Sequence, residues 1–245
     1  HRSSALFRIE HDLAPGHLLG LGASLFRLER DIDKLSEQNT STYKIGDNQY
    51  KEEIKRDRIW LDYEYRSTQQ WATLDRLSML AYWNRTDLLN EQNAYRQKDA
   101  RANIIPRDPY KYGFPSGEYS RHNSVEQKGW GLNLDASGYW GAAPLRSHWM
   151  AGAGFNSDRY RQHSGGVDNC PVVSPTLAAP FGPRACEFLH TNQADVPRVK
   201  SNDWFAYAKN TFSWGNGQYN LTPGLRYDHY ERSPSVAGDF LNNPN

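Results

Sequence analysis

The chain has 245 residues, and its 29 Lys and Arg against 28 Asp and Glu give a formal net charge of only +1. This balance excludes the basic field that nucleic-acid binding requires. The mean hydropathy of −0.85, with no stretch near the roughly 20 apolar residues of a spanning helix, excludes a helical membrane protein. A transmembrane β-barrel remains compatible with this composition, because only alternate residues of each strand face lipid.

Period-2 alternation of apolar and polar residues predicts eight β-strands. In chain order they lie near 3–13, 17–31, 57–67, 71–84, 125–138, 147–160, 203–213 and 219–232. In the last strand Leu225 and Tyr227 occupy one face, and Arg226 and Asp228 occupy the other. One such face suits lipid and the other a watery lumen, where we interpret Arg226 and Asp228 as part of an inter-strand charge ladder.

The connections between these strands alternate strictly in length. Short turns alternate with long loops along the chain. The short turns lie at 14–16, 67–70, 141–145 and 215–217, and the long loops lie at about 33–56, 85–123 and 161–202. Ordinary loops have about 4–6 residues, whereas outer-membrane barrels combine short periplasmic turns with long extracellular loops. The pattern predicts an antiparallel transmembrane barrel segment in a bacterial outer membrane; a soluble β-sandwich is the alternative.

Aromatic residues gather beside the predicted short turns. They are Trp71, Trp140, Trp149, Trp214 and Tyr219. Aromatic rings collect at the two bilayer interfaces of membrane barrels. We therefore predict a periplasmic aromatic girdle at this end of the sheet.

The chain starts almost directly in a strand and shows no signal peptide. It ends in loop-like sequence at 238–245 without a closing strand. We therefore expect residues 1–245 to be part of the barrel domain of a longer protein. The signal peptide and the C-terminal strands would lie outside it.

The two cysteines, Cys170 and Cys186, both fall in the third long loop. An even cysteine count in an oxidising compartment predicts a disulfide. Closing a loop of about 15 residues removes on the order of 3 kcal/mol of chain entropy. A metal site made from both cysteines and His190 is less favoured, because the spacing lacks a ligand pattern, and no metal site is predicted.

Histidine and tyrosine side chains in the predicted long loops are the candidate ligand-binding residues. The selected four are His163, His190, Tyr110 and Tyr112, with His122, Tyr95 and Tyr119 nearby. Histidine and tyrosine are ligands of haem iron. The sequence contains no nucleotide-binding, metalloprotease or hydrolase motif, so we predict no catalytic residues and no enzyme.

Four segments resemble the barrel of TonB-dependent outer-membrane receptors. The most specific is Leu-Thr-Pro-Gly-Leu-Arg-Tyr-Asp-His-Tyr at 221–230, preceded by Asp-Trp-Phe-Ala-Tyr-Ala-Lys-Asn at 203–210. The segments Lys-Arg-Asp-Arg-Ile-Trp-Leu-Asp-Tyr-Glu-Tyr at 55–65 and Leu-Asp-Arg-Leu-Ser-Met-Leu-Ala-Tyr-Trp at 74–83 are similar to the haem and haemoglobin receptor branch. The resemblance covers roughly residues 55–232.

This resemblance implies a 22-stranded barrel closed by an N-terminal plug domain, of which this chain would hold about eight strands and no plug. It implies active import of haem, free or carried by haemoglobin or a haemophore, with energy from the TonB complex. Haem would be a transported ligand and no covalently bound cofactor. The family's haem-ligating histidines lie in the plug and after a Phe-Arg-Ala-Pro motif, and neither is found in this sequence.

Several alternatives remain open. Within the same family the cargo could be a ferric siderophore or iron from transferrin. Two alternatives come from other classes of protein. A small outer-membrane enzyme would need a catalytic site at the extracellular rim, such as Asp195, His190 and Ser201. A passive porin or a surface adhesin would need no catalytic site. All of these readings share the lipid bilayer as the surroundings of the chain.

Overall fold

The computed structural model describes residues 1–32, 44, 46–97, 116–142, 145–170, 190–215 and 217–242. Regular structure in these ranges consists of nine β-strands and one short 3-10 helix. The strands are β1 (Arg2–Ala14), β2 (His17–Ile32), β3 (Gln49–Arg66), β4 (Arg76–Arg96), β5 (Gly117–Ala142), β6 (Leu145–Val167), β7 (Arg198–Trp214), β8 (Tyr219–Leu221) and β9 (Gly224–Ser235). The 3-10 helix is Gly238–Asn242.

All strands belong to one antiparallel sheet in which chain neighbours are also spatial neighbours from β1 to β8. β8 and β9 both pair with β7 and act as one strand interrupted at Pro223, which has no N–H for the ladder. The Pro223 carbonyl still accepts a 3.0 Å hydrogen bond from the Asn210 amide. The predicted all-β, antiparallel fold is confirmed.

Each predicted strand exists, but most bounds differ. β3 begins eight residues before its predicted start, and β5 extends from Gly117 to Ala142 instead of 125–138. The predicted start of the fourth strand at 71 is wrong. Trp71 has a positive φ of 62°, and the strand begins at Arg76.

The strands exceed what a bilayer requires. A spanning strand needs about 9–11 residues, whereas β4, β5 and β6 have 21, 26 and 23. The excess lies on the side of the long connections, because the short turns follow directly at the other end. The predicted loops 85–123 and 161–202 are therefore wrong at their bounds, since both contain long parts of these strands.

No helix among the described residues is long and apolar enough to span a membrane.

The two faces of the sheet differ in chemistry. Leu21, Leu61 and Leu132 share one register row on the face that we call the outer face, and each is more than 40% exposed. The opposite face, the inner face, carries polar groups such as Asp62 and Asp135. A sheet with one exposed apolar side and one polar side is the arrangement of a barrel wall between lipid and lumen.

Glycines on the inner face let side chains on next-nearest strands meet. Tyr82 in β4, Gly131 in β5 and Asn156 in β6 lie in one register row. Because Gly131 has no side chain, the Tyr82 hydroxyl donates a 2.6 Å hydrogen bond to Asn156 Oδ1 across β5. Tyr207 likewise reaches over Gly152 to Asp135 at 2.6 Å.

The short-turn end of the sheet carries exposed aromatic rings. Trp71 contacts Tyr139 edge-on at 4.9 Å between ring centroids, and the Arg146 guanidinium lies 4.5 Å from the Trp71 centroid. Trp214 and Tyr219 stack at 5.9 Å. These positions agree with the predicted girdle at that end.

The glycine at position 131 yields the first prediction. We expect Gly131→Val to destabilise the barrel by about 1–3 kcal/mol, the usual cost of overpacking, because a Cβ there would overlap the Tyr82 ring and the Asn156 amide. The measurement is the urea midpoint of the folded, heat-modifiable form of the full-length protein in detergent.

The matched control is Gly165→Val in β6, where a Cβ would meet only His163 Nε2 at 3.9 Å. Equal midpoints for the two variants would contradict the role of Gly131 as an open position between Tyr82 and Asn156.

Candidate functional site

The main candidate site is a cavity of about 570 Å³ on the inner face. It lies over strands β1 to β5, which place its lining side chains by the strict two-residue alternation of the sheet. The polar and aromatic residues that line it are Arg8, Ser24, Arg58, Trp60, Asp62, Tyr63, Glu64, Ser78, Asn133 and Asp135. We call this group the inner-face cluster.

The inner-face cluster holds two arginines, Arg8 and Arg58, and the three carboxylates of Asp62, Glu64 and Asp135. Arg8 in β1 pairs with Glu10 at 2.8 Å and reaches over β2 to Asp62 in β3 at 3.1 Å. This reach is possible because β2 has Gly20 and Gly22 at the intervening positions. Arg8 is thereby fixed by carboxylates on both sides.

Arg58 is held in a different way. Its guanidinium carbon lies 5.8 Å from the Trp60 ring centroid and 5.0 Å from the Tyr82 centroid. Both distances fall in the range of cation–π contacts. Among the described residues Arg58 has no carboxylate within 4.0 Å, so its N–H donors remain available to an anionic ligand.

The cluster also holds oxygen acceptors that lack donors. Asp62 Oδ1 and Asn133 Oδ1 are inaccessible to solvent and have no hydrogen-bond partner within the described ranges. Buried polar atoms are nearly always paired. The inner face thus presents the Arg58 donors to whatever fills the lumen, whereas these two oxygens are covered by neighbouring atoms.

Arg226 and Asp228 do not form the inter-strand charge contact that was predicted for them. The two groups form a 2.7 Å ion pair within β9, two residues apart, so this pair does not bridge neighbouring strands. Arg226 also lies 4.6 Å from the Phe205 ring centroid in β7. The contact between the strands is therefore a cation–π contact.

A second candidate site lies at the long-loop side, around Asp168. Its Oδ2 accepts a 2.8 Å hydrogen bond from the Thr191 amide and lies 3.2 Å from His190 Nδ1. Its Oδ1 accepts a 2.8 Å hydrogen bond from the Cys170 amide. Asp168 thus joins the two ends of the 168–191 segment.

Electrostatics at Asp168 favour the charged form. Burial raises the pKa of this carboxyl, but the amides of Cys170 and Thr191 and the imidazole of His190 outweigh burial and lower the pKa below its ordinary value. One ligand atom each of Asp168, Cys170 and His190 lies within 4.8 Å of the others. Cys170 is held in a disulfide and offers no thiolate, so this trio lacks the third ligand of a metal site.

The structure separates the predicted ligand-binding histidines. His163 and His122 were predicted in loops, but they lie in β6 and β5 on the outer face. His163 Nδ1 contacts Asp239, and His122 Nδ1 lies 3.0 Å from Glu91. Only His190 lies in a connection, and neither strand histidine faces the lumen.

The predicted tyrosines have different outcomes. Tyr110 and Tyr112 lie outside the described residues, as does Cys186. Of the predicted Cys170–Cys186 pair the structure describes only Cys170, which is disulfide-bonded. Tyr95 and Tyr119 were also expected in a loop and instead lie in β4 and β5. Tyr119 is buried beneath the Arg96 guanidinium, 3.8 Å from its ring centroid.

The rim site of Asp195, His190 and Ser201 that an outer-membrane enzyme would need does not form. Asp195 pairs with Arg121 at 3.5 Å, Ser201 donates to Asp203 at 3.3 Å, and His190 contacts Asp168. Each group has a different partner, so the three do not make a hydrolytic triad.

Arg8, Arg58 and Asp62 were not predicted from the sequence as site residues. Alternation places all three on one face, but the encounter of Arg8 with Asp62 depends on the register of three strands and on two glycines between them. Glycines that lie opposite large or charged residues on the polar face are the sequence signal that would have indicated this cluster.

Comparison with solved structures finds a similar fold in the ferric preacinetobactin receptor BauA from Acinetobacter baumannii. The TM-score is 0.52 at 12% sequence identity, and the match covers 96% of this chain and 35% of that receptor. The chain thus spans about a third of the length of the receptor it matches. A search of curated proteins finds no match.

A family model described as "TonB dependent receptor-like, beta-barrel" matches residues 11–245. This is a family of receptors and transporters of the bacterial outer membrane. The match agrees with the outer and inner faces of the sheet and confirms the predicted location. The chain belongs to the TonB-dependent receptor-like β-barrel family.

Proposed function

We propose that this chain forms part of the wall of an importer for a ferric siderophore, powered by the TonB complex. The observation that carries the proposal is membership of the TonB-dependent receptor-like family over residues 11–245. The similar fold of a ferric preacinetobactin receptor supports this cargo class. A ferric siderophore was the alternative cargo predicted from the sequence, and it now takes precedence over haem.

The inner-face cluster fits such a cargo chemically. A ferric siderophore is a compact organic chelate with oxygen-rich, often anionic edges. Arg58, held between Trp60 and Tyr82, offers unpaired N–H donors beside two flat rings. Charge-assisted hydrogen bonds from a guanidinium to oxygen anions are among the stronger polar contacts in proteins.

The same cluster is also suited to the plug that the family places inside the barrel. The carboxylates that line the cluster can accept hydrogen bonds from plug amides. TonB would then act on the plug rather than on this wall. In this proposal the wall contributes fixed contacts, and the plug contributes the movement that opens the lumen.

Haem, free or bound to haemoglobin or a haemophore, is the second candidate cargo. The observation that favours it is His190, whose Nδ1 lies 3.2 Å from Asp168. A carboxylate at one imidazole nitrogen orients the other nitrogen and raises its basicity as a metal ligand. A surface loop bearing such a histidine could contact haem before transport.

Siderophore transport makes a direct prediction. The full-length receptor, in an iron-starved host without its own ferric receptors, should take up ⁵⁵Fe from at least one of a ferric catecholate, a ferric hydroxamate and ferric preacinetobactin. Arg58→Gln should weaken binding of that chelate by about 10- to 100-fold, because one charged hydrogen bond contributes on the order of 1.5–3 kcal/mol.

The matched control is Lys51→Gln, which removes an exposed cation from the outer face of the neighbouring part of β3. Uptake of none of the three chelates would refute the siderophore proposal. Normal binding by a folded Arg58→Gln protein would place the cargo elsewhere on the inner face.

A spectroscopic titration distinguishes the haem alternative from the siderophore proposal. If haem is the cargo, haemin added to the full-length receptor should give a Soret band that His190→Ala shifts and His11→Ala, an exposed β1 position, leaves unchanged. Identical spectra for both variants would remove His190 as a haem ligand.

Asp168 yields a prediction for the loop itself. Asp168→Asn should speed cleavage of the 168–197 segment by an added protease at pH 7, since it removes the charge that interacts with Cys170, His190 and Thr191. The control is Asp195→Asn, an exposed acid of the same segment with 68% side-chain exposure. Equal cleavage rates in the two variants would contradict the anchoring role.

The lowered pKa of Asp168 sets the pH range of this anchor. A carboxyl with a folded pKa below its unfolded value, about 3.9, contributes stability at all pH above that value and loses it as the pH falls further. We therefore expect the wild-type cleavage rate, corrected for protease activity, to stay constant between about pH 5 and pH 8.

A further inference from the structure

The connection between β3 and β4 differs from the other turns at the short-turn end of the sheet. It has nine residues, 67–75, whereas the others have only two to four, at 15–16, 143–144 and 215–218. The Tyr139 amide donates a 2.9 Å hydrogen bond to the Ala72 carbonyl of this turn. The Asp75 amide of the turn donates a 2.8 Å hydrogen bond to the Ser137 carbonyl. The turn is therefore fixed against the end of β5.

One residue of this turn has a strained backbone. Trp71 has a φ of 62°, in a region that favours glycine and in which a bulky residue is an outlier. Its ring is 50% exposed, so burial in a core does not compensate for the strain. Strained residues of this kind cluster at functional sites. The strain thus points to a function that depends on where the Trp71 ring is held.

The Trp71 ring completes a cluster on the inner face. Tyr139 in β5 and His148 in β6 are register partners, and their rings stack at 4.6 Å between centroids. Trp71 contacts Tyr139 edge-on at 4.9 Å, and the Arg146 guanidinium lies 4.5 Å from the Trp71 centroid. Alternation along β5 from Asp135 places Tyr139 on the inner face, and Arg146 shares that face with His148. We call Trp71, Tyr139, Arg146 and His148 the turn cluster.

The inner face around the turn cluster is basic. From the register row of Arg66 to the short turns, the inner-face positions of β3 to β8 carry four cations and, among the described residues, no carboxylate. The cations are Arg66, Arg76, Arg146 and Lys209. Glu64, one row nearer the middle of the sheet, pairs with Arg66 at 2.7 Å and Arg76 at 3.0 Å. Within the described ranges no carboxylate lies within 4.0 Å of Arg146 or Lys209.

The Arg146 guanidinium is suited to bind an oxyanion. Its cation–π contact with Trp71 uses the face of the ring and none of its N–H donors. Arginine presents these donors as a planar fork that matches paired oxygen atoms. The stacked rings of Tyr139 and His148 lie on the same face and offer a flat surface against which an aromatic ligand can pack. Charged donors and aromatic surface are thus side by side.

We propose that the turn cluster is a second binding site for the cargo, occupied when a ferric chelate leaves the lumen on the periplasmic side. This inference rests on the proposed siderophore function and narrows the cargo to chelates with aromatic, oxyanionic ligand groups, the catecholate class. Short turns of outer-membrane barrels lie in the periplasm, so the turn cluster lies on the lumen side of the exit.

The turn cluster repeats the chemistry of Arg58 at another depth. Arg58 shares its register row with Asp158 in β6. Arg146 lies on the same strand nearer the short turns, about 40 Å from Asp158 at roughly 3.4 Å per residue. Both arginines contact aromatic rings and have no carboxylate within 4.0 Å among the described residues. A chelate released from Arg58 therefore meets a similar site before it leaves the barrel.

The test measures binding and transport separately in an iron-starved host that expresses the full-length receptor. In cells de-energised by a protonophore, Arg146→Gln should bind a ferric catecholate within twofold of the wild type. In energised cells it should take up ⁵⁵Fe from this chelate about tenfold more slowly, because the exit step loses a charge-assisted contact. The matched control is Arg159→Gln, which removes an arginine from the outer face of the same strand and should change neither quantity.

A photo-cross-link detects the cargo at the turn cluster without removing any of its side chains. p-Benzoylphenylalanine in place of Ser213, the register partner of Arg146, should cross-link radiolabelled catecholate in energised cells and not in de-energised cells. The same group in place of the adjacent Phe212 lies on the outer face and should give no cross-link.

The outcomes separate this site from the siderophore function itself. If no ferric chelate binds the receptor, both are refuted. The exit site alone is overturned if a catecholate binds but a correctly assembled Arg146→Gln receptor transports it at the wild-type rate. It is also overturned if only a neutral hydroxamate chelate is taken up, or if the group at position 213 cross-links a periplasmic protein and no catecholate.

Discussion

The hydrogen-bond ladder of the sheet is the constraint on which everything else in this chain depends. A bilayer offers no water to unpaired backbone groups, so each strand must pair continuously with its neighbours, as β2 to β7 do over nearly their whole length. Continuous pairing fixes the register, and the register fixes which residues face lipid and which face the lumen. Chemistry on one face is thereby isolated from chemistry on the other.

Each face then changes along the strand in its own way. The outer face passes from the leucines around Leu61, through Trp83 and Trp130, to the cations beginning at Arg85. The inner face keeps polar groups throughout and spaces them with glycine, so that Tyr82 can reach Asn156 two strands away. The order of residues on the outer face follows the change in polarity across the bilayer. The inner face forms a polar network that borders the lumen.

Alternation in the sequence predicted every strand and the division into two faces, because the bilayer enforces that signal over each spanning segment. It failed at the strand ends beyond the membrane, where both faces of β4 to β6 are polar and the apolar signal disappears. His122 and His163 were therefore predicted in loops. The Arg8–Asp62 contact was missed for another reason, since it depends on register across three strands. Tyr110 and Tyr112 lie outside the described residues, so no part of their prediction is tested.

Register also explains how one strand carries different chemistry on its two faces. A shift of one residue in a strand would exchange its faces, placing the Arg85 charge in the lumen and the Tyr82 ring against lipid. The glycines at 22, 131 and 152 work against such a shift, because each receives a neighbouring side chain that another residue would exclude. The inner-face contacts therefore also keep the outer-face cations on the side of the sheet opposite the lumen. The chemistry of both faces depends on one set of strand pairings.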